Sequence, residues 1–431
     1  MKKSIKLIAI LLTFVVLLTF AFACDGNKPK KQTSAYVSST LTVKEDGTFK
    51  ILQLTDTHFI NSTVESDDVT VDYVLRDEWA KEAIRTVIQN ANPDLIALTG
   101  DTIFTLDTIK MWTKTDDNYA AFKKVADYID SFDIPWTFVF GNHDEEGNLG
   151  GKIASKSATK KQKAQAAKKK LGEYLTSENI KNCLYVDGPE NINGLGNYIV
   201  NVVNKDGSLN NALVMLDSGS YLEGDQRKYE YVHDDQLDWY EEAIRDIAKH
   251  ENKEMIPSLI FQHIPTVEYR TVLEKFISAL EALGEDWHDT IKADGTERSL
   301  TVDGEVITYH GGVYNEGEVC ASYVGEWNGV TYDGGHEFQK IKELGSTKYV
   351  FCGHDHRNTY SFTYQGICLT YGMSIDYCAN GIVPAAHQDI YDKTEQRGGT
   401  LITLNADSSV SISQVPFTRN LYREALEAQN S

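Results

Sequence analysis

The sequence predicts an α/β protein arranged as a four-layer α/β/β/α sandwich. Strand-like apolar runs alternate with helical segments at short intervals through the first half of the chain, the pattern of a largely parallel sheet covered by helices. Each early strand stops at an Asp, Asn or His, and that edge is where open α/β sheets build their sites. The last part of the chain is rich in short strands, so the two halves can each contribute a sheet.

Phe49 to Leu54 runs apolar and stops before Asp56, which marks a strand. From Glu78 to Asn90, the residues Trp79, Ala83, Ile84, Val87 and Ile88 recur at helical spacing. Pro93 follows, and Asp94 to Leu98 is a second strand ending at Gly100-Asp101. Tyr119 to Phe132 is helical, and Trp136 to Phe140 is a third strand ending at Gly141-Asn142-His143. Ser155 to Leu175, rich in Lys and Ala, reads as an exposed helix with Lys168 to Lys170 on a solvated face. Tyr198 to Val203 and Ala212 to Leu216 are strands, the second ending at Asp217, an acid with no metal partner in sequence.

Asp235 to Ala248 is a helix, Pro257 to Gln262 a strand leading to His263, and Val267 to Leu283 a helix. Residues 285–335 break the pattern. They are rich in Gly, Asp, Tyr and Trp, as in an insertion or lid beside a site. Tyr309, Tyr314, Tyr323, Trp327 and Tyr332 there either stack on a substrate or form a small core of their own. Glu337 to Leu344 is helical, and Lys348 to Cys352 is a strand delivering Gly353-His354-Asp355-His356. Thr359 to Tyr364, Ile367 to Tyr371, Thr400 to Leu404 and Val410 to Gln414 complete the strands.

The 431 residues, 41% hydrophobic, are ample for a substantial core. A formal net charge of -21 argues against a nucleic-acid polymer as partner, because phosphate backbones are held by clustered Lys and Arg. Lys2, Lys3 and Lys6 lead into an apolar stretch from Leu7 to Ala23, a secretory signal over residues 1–23. Ala21-Phe22-Ala23 suits ordinary cleavage, while Cys24 after small residues resembles a bacterial lipobox with Ala21 and Phe22 out of pattern. A lipid anchor on Cys24, free secretion and an uncleaved anchor are the three fates, and the lipid anchor would be the chain's contact with a membrane. Residues 24–46 read as a polar tether, residues 47–418 as the folded domain and residues 419–431 as a tail. Cys183, Cys320, Cys352, Cys368 and Cys378 are odd in number and lack CxxC spacing, which leaves one or two disulfides or buried thiols.

The chemistry lies in the strand-end motifs. Asp56 and His58 are two apart, and in an extended segment both would point the same way and grip one cation; His354 and His356 repeat this. Asp101 has two oxygens and can bridge two ions, Asn142 offers a neutral carbonyl, and His263 and His143 complete the set. Such ligands suit Mn, Fe, Zn or Ni. Two ions about 3.5–4 Å apart would hold a hydroxide and stabilise charge on both the attacking and the leaving oxygen of a phosphate ester. Each motif alone is commonplace; a histidine before Ile-Pro is usually a packed or turn residue. His250, His288, His310, His336 and His387, with no motif around them, read as surface residues.

The order Asp-x-His, Gly-Asp, Gly-Asn-His-Asp, His and Gly-His-x-His resembles that of the calcineurin-like metallophosphoesterases over Phe49 to Gln414. Phe140 to Asp144, Gln262 to Pro265, Glu318-Val319-Cys320, Gly334-Gly335 and Val350 to Asn358 further resemble the branch related to purple acid phosphatases that contains the yeast Dcr2-type phosphatases. The resemblance implies two central mixed sheets flanked by helices and a two-metal site that hydrolyses phosphate esters, a small monoester slightly favoured over a diester of nucleotide or lipid-headgroup type. By position, it implies that Asp56, His58 and His356 hold one metal, Asn142, His263 and His354 the other, and Asp101 bridges. His143 would stabilise the transition state or protonate the leaving alkoxide, with Asp144 orienting its imidazole. Arg357 and Asn358 would touch substrate phosphate or pair with acids elsewhere. Purple acid phosphatases carry a tyrosinate ligand three residues after the Gly-Asp aspartate; here Phe104 stands there, which predicts no tyrosinate colour.

Overall fold

In a computed structural model, the described residues are 34–419 apart from 62, 66–69, 106–117, 148, 223–226, 293–294, 315–318 and 379–396, with Leu421, Glu424 and Glu427 beyond. The signal segment, Cys24, Glu318 and His387 lie outside them.

Five strands form the smaller sheet, in the order β18 (Val410–Pro416), β17 (Gly398–Leu404), β2 (Phe49–Leu54), β5 (Leu95–Thr99) and β6 (Trp136–Val139). β2, β5 and β6 run parallel, and β17 and β18 antiparallel, so the sheet is mixed. The larger sheet has nine strands. Its order is β1 (Val37–Thr42), β7 (Tyr198–Val203), β8 (Leu209–Met215), β9 (Ser258–Phe261), β14 (Thr347–Cys352), β16 (Ile367–Tyr371), β15 (Ser361–Tyr364), β11 (Glu305–Gly311) and β10 (Arg298–Val302). It too is mixed, parallel from β8 to β16, antiparallel from β16 to β10 and between β7 and β8, and parallel again between β1 and β7.

The layering follows from the alternation of side chains along buried strands. Leu213, Met215, Leu259, Phe261 and Phe351 face one core, shared with the smaller sheet and with α1 (Tyr73–Ala91), α2 (Asn118–Asp130) and α4 (Lys160–Leu175). Their neighbours Ala212, Val214, Ile260, Val350 and Cys352 face a second core, covered by α5 (Asp234–His250), α6 (Val267–Ala282) and α7 (Glu337–Leu344). The result is the helix, sheet, sheet, helix order. α5 shows why these segments are helices: Leu237, Tyr240, Ala243, Ile244 and Ile247 line one face, with Asp234 and Asp235 in the first turn and Lys249 and His250 in the last.

Three expectations need correction. Val37 to Thr42, placed in the tether, is edge strand β1, paired in parallel with β7. Its intermediate and exposed residues alternate, too polar a pattern to stand out in sequence. Part of residues 285–335 is framework rather than lid: β10 and β11 extend the larger sheet, and Tyr309 is fully buried in the second core. The remainder includes a hairpin of β12 (Val324–Trp327) and β13 (Val330–Asp333) outside both main sheets. Lys168 is not on a solvated face. It is 5% exposed, with Nζ 3.0 Å from both oxygens of Asp217 and 3.5 Å from Glu145. Its helix turns Ala167, Leu171 and Leu175 inward as well, a stripe masked in sequence by the surrounding lysines.

Candidate metal centre

The C-terminal ends of β2, β5 and β6 from one sheet and β9 and β14 from the other meet at one place. Buried Gln53 joins the two sheets just beneath it, its amide donating to Thr99 Oγ1 at 3.0 Å and to the Cys352 carbonyl at 3.0 Å. The chain then leaves the strands by left-handed residues. Asp56, His58, Asp101 and His354 have φ of 52°, 49°, 48° and 78°. Asp and His tolerate this region better than most residues, yet it costs energy and is kept where surrounding structure over-determines it. Asp56 and His58 therefore converge through strained turns, not through the extended segment expected of an i, i+2 pair.

The convergence is tight. Ligating atoms of Asp56, His58, Asp101 and His356 all lie within 4.8 Å of one another, and so do those of Asp101, His263 and His354. Asp101 belongs to both groups, as a bridging carboxylate must. His58 Nε2 is 3.6 Å and His263 Nε2 3.0 Å from Asp101 Oδ2, and His356 Nε2 is 3.4 Å from Asp56 Oδ1. Asn142 Oδ1 is 3.2 Å from His263 Nε2; its amide nitrogen donates to Tyr221 Oη at 2.7 Å, which turns the oxygen toward the cluster. His263 Nδ1 is fixed by the Thr99 carbonyl at 2.9 Å. Asp101 Oδ2 and His58 Nε2 are buried without a hydrogen bond. Buried polar atoms are almost always satisfied, and a cation between them would supply the missing partner.

Electrostatics agree. Burial works against the Asp101 charge, yet the His263 and His143 imidazoles hold its carboxyl well below the usual range. Burial also opposes charge on His58, but Asp376 and Asp101 outweigh it and lift the imidazole to about 10; Asp101 and Asp56 lift His263 to about 9. His354 goes the other way, pushed down by burial and by His263. Protons on such imidazoles occupy the place of a metal, and metal binding would displace them.

Close backbone approach explains two glycines. A Cβ on Gly141 would run into Asp101, and one on Gly353 into Thr55 Oγ1 and Asp56. The motif Gly-Asn-His and the motif Gly-His-Asp-His thus need glycine for room rather than for an unusual dihedral.

A family model for calcineurin-like phosphoesterases matches residues 49–358. The chain belongs to this family. Over 353 residues the chain is 27% identical to "Probable inactive purple acid phosphatase 28" of Arabidopsis thaliana, spanning 79% of this chain and 74% of that protein. It is 27% identical over 366 residues to "Phosphatase DCR2" of Saccharomyces cerevisiae, spanning 82% of this chain and 52% of that one. A dimetal phosphatase from Danio rerio aligns in structure with a TM-score of 0.41 and 12% identity, over 86% of this chain and 99% of that chain.

Around the seven candidate ligands, the fold places residues that the sequence did not single out. His143 points Nε2 at the cluster, 3.9 Å from Asp101 Oδ2, but Nδ1 is held by Glu146 Oε2 at 2.8 Å. Asp144 does not orient it. Its carboxylate accepts the backbone N–H groups of Thr102 at 2.8 Å, Ile103 at 3.2 Å and Gly141 at 2.7 Å, clamping the Asp101 loop to the Asn142 loop. Adjacency in sequence misled here, because in this turn the i+3 side chain meets the imidazole. Burial and the neighbouring Asp101 charge push the Asp144 carboxyl up to about 7.

Asp376 is the second addition. Oδ1 is 3.1 Å from His58 Nδ1 and Oδ2 3.6 Å from His356 Nδ1, so one carboxylate steadies two imidazoles. Arg397 donates to its backbone carbonyl, and Cys378 N donates to Oδ1 at 2.9 Å. The signal was present, since Asp376 follows strand β16 as the other site acids follow theirs.

Asn358 is buried and donates to Asp355 Oδ2 at 2.6 Å, bracing the turn that carries His356; Arg357 beside it is half-buried. Phe104 lies edge-on to His143 and His58, with centroids 4.7 and 5.5 Å away, an apolar wall where a tyrosinate would ligate. Asp217 serves Lys168 and the backbone of Leu195 and Gly219. Among the described residues Cys183, Cys352, Cys368 and Cys378 form no disulfide.

Proposed function

We propose that this chain is a two-metal hydrolase of phosphate esters, with small monoesters favoured over diesters. The carrying observation is Asp101, whose Oδ2 lies buried and without a hydrogen bond among the imidazoles of His58, His263 and His143. Asp56, His58 and His356 would hold one ion, Asn142, His263 and His354 the other, and Asp101 would join them; Mn, Fe, Zn or Ni suits this donor set. When bound, two such ions supply a nucleophile at neutral pH and neutralise charge on phosphate oxygens.

The protein's own groups do the rest. Burial opposes protonation of His143, but Glu146 and Asp101 hold its pKa above the ordinary imidazole value. The ring is thus poised to give a proton to the departing oxygen. Phe104 packs edge-on against the ring, with centroids 4.7 Å apart.

The name of the Arabidopsis relative supports a second reading, a metal- or phosphate-binding protein without turnover. Retention of His143 and of all seven candidate ligands weighs against it. Hydrolysis of p-nitrophenyl phosphate and bis-p-nitrophenyl phosphate decides, using metal-stripped protein reloaded with each ion beside His143→Ala and Asp101→Ala. Metal-dependent turnover lost in both variants is expected, with the monoester faster. A folded protein that binds two ions and cleaves neither ester sinks the proposal.

We further infer export, supported by the charged and apolar leader ending at Cys24. Intact mass of the mature N-terminus should show a diacylglyceryl-modified Cys24; a chain beginning at Met1 overturns this.

A further inference from the structure

Lys168 on α4 is a buried cation that the proposed reaction does not use. It is 5% exposed. Taking an ammonium group out of water is costly, and it is kept inside a protein where carboxylates and hydrogen bonds answer it. Asp217 answers with both oxygens at 3.0 Å and Glu145 with Oε2 at 3.5 Å; the ammonium also stands 5.4 Å from the centroid of the Phe140 ring. Burial opposes its charge, but Asp217 and Glu145 outweigh it and hold its pKa above the ordinary lysine value.

These partners lead toward the metal-ligand cluster by two routes. Phe140 and Glu145 flank Asn142 along the chain. Asp217 opens a short segment whose next residues touch two ligand-bearing loops. Its Oδ1 accepts the N–H of Gly219 at 3.1 Å, and Gly219 takes the left-handed conformation, with φ 80°. Ser218 Oγ accepts the N–H of Ile264, the residue after His263, at 2.8 Å. Ser220 Oγ donates to the Asn142 carbonyl at 3.4 Å, and Tyr221 Oη accepts from the Asn142 side-chain amide at 2.7 Å. Asn142 and His263 are candidate ligands of the same ion. Lys168 thus ties the Asn142 turn to the segment that holds Asn142 and the His263 loop.

We propose that Lys168 is a positioning residue for the ion assigned to Asn142, His263 and His354. By joining Asp217 to Glu145 it sets the segment from Asp217 to Tyr221, which fixes the Asn142 oxygen and the start of the loop after His263. The inference rests on the reading of the cluster as a two-metal centre. It gives the two ions separate supports, a lysine of α4 for this one and Asp376 for the other. Such supports raise metal affinity, because a ligand already held in place gives up less freedom when the ion arrives.

Equilibrium dialysis of the metal-stripped full chain against graded manganese reads the affinity of each ion. Lys168→Met should weaken one ion by about tenfold or more, in the usual range for a lost supporting partner, and leave the other unchanged. Lys169→Met, the exposed lysine beside it, should match the wild type. Tyr221→Phe removes the hydroxyl that holds Asn142 and leaves no buried charge unpaired; it too should weaken one ion alone. A general loss of stability would not separate the ions in this way. Both ions weakened alike, or neither, in a Lys168→Met protein with the wild-type circular dichroism spectrum overturns the proposal. If that variant does not fold, Tyr221→Phe decides by the same outcomes. A wild-type chain that binds fewer than two ions sinks the two-metal reading itself, and this inference with it.

Discussion

His143 Nδ1 lies 2.8 Å from Glu146 Oε2, three residues along the same turn. The carboxylate fixes the imidazole so that Nε2 faces the metal-ligand cluster, and its charge favours the protonated ring.

Glu146→Gln should therefore lower kcat by roughly 10–100-fold, the usual cost of losing such a supporting partner. KM and metal content should change little, since Glu146 holds the proton donor and no candidate ligand. Steady-state kinetics with p-nitrophenyl phosphate and elemental analysis of the same sample check this. An unchanged kcat would return the orienting role to some other group.

Asp376 contacts His58 and His356, both members of one ligand group. Asp376→Asn should weaken one ion by roughly 10–100-fold and spare the other. Metal retained per chain after graded chelation is the readout, with one equivalent lost early and one retained. Uniform loss of both, or of neither, would contradict the assignment.

Glu337 is buried at the start of α7, where it accepts from Gln262 Nε2 at 3.1 Å while its other oxygen lacks a partner. Burial pushes its carboxyl up to about 8 from an ordinary 4.5. The folded state thus keeps a proton that the unfolded chain releases. Stability from this group is whole below about pH 4.5, declines through the window up to about pH 8 and is lost above it. Glu337→Gln should remove that decline and raise stability at pH 8 by about 1–3 kcal/mol, the cost of an imperfectly compensated buried charge. Urea denaturation at pH 5 and pH 8 checks this; a variant with the wild-type pH dependence would refute it.

The candidate site was legible because each of its seven presumed ligands stands within a few residues of a strand's end, where apolar alternation stops. Residues 49–54 and 367–371 match their expected strands, and α7 begins and ends where its apolar spacing does. β1 and the β10–β11 pair were not legible. They are edge elements with one face exposed, so their polar residues conceal the period. Lys168 was hidden by composition, since a lysine among lysines gives no sign of the Asp217 waiting 49 residues away.

The sequence by itself determined the alternation of strands and helices, the strand-end placement of the presumed ligands and the charge balance against a polyanion. These are local properties, written in spacing and residue type. The tertiary structure alone decided that Glu146 and not Asp144 holds His143, that Asp376 serves two histidines, and that Lys168 meets Asp217. Those relations depend on where left-handed turns aim side chains and on which distant carboxylates fold against which cations, and neither is a function of sequence distance.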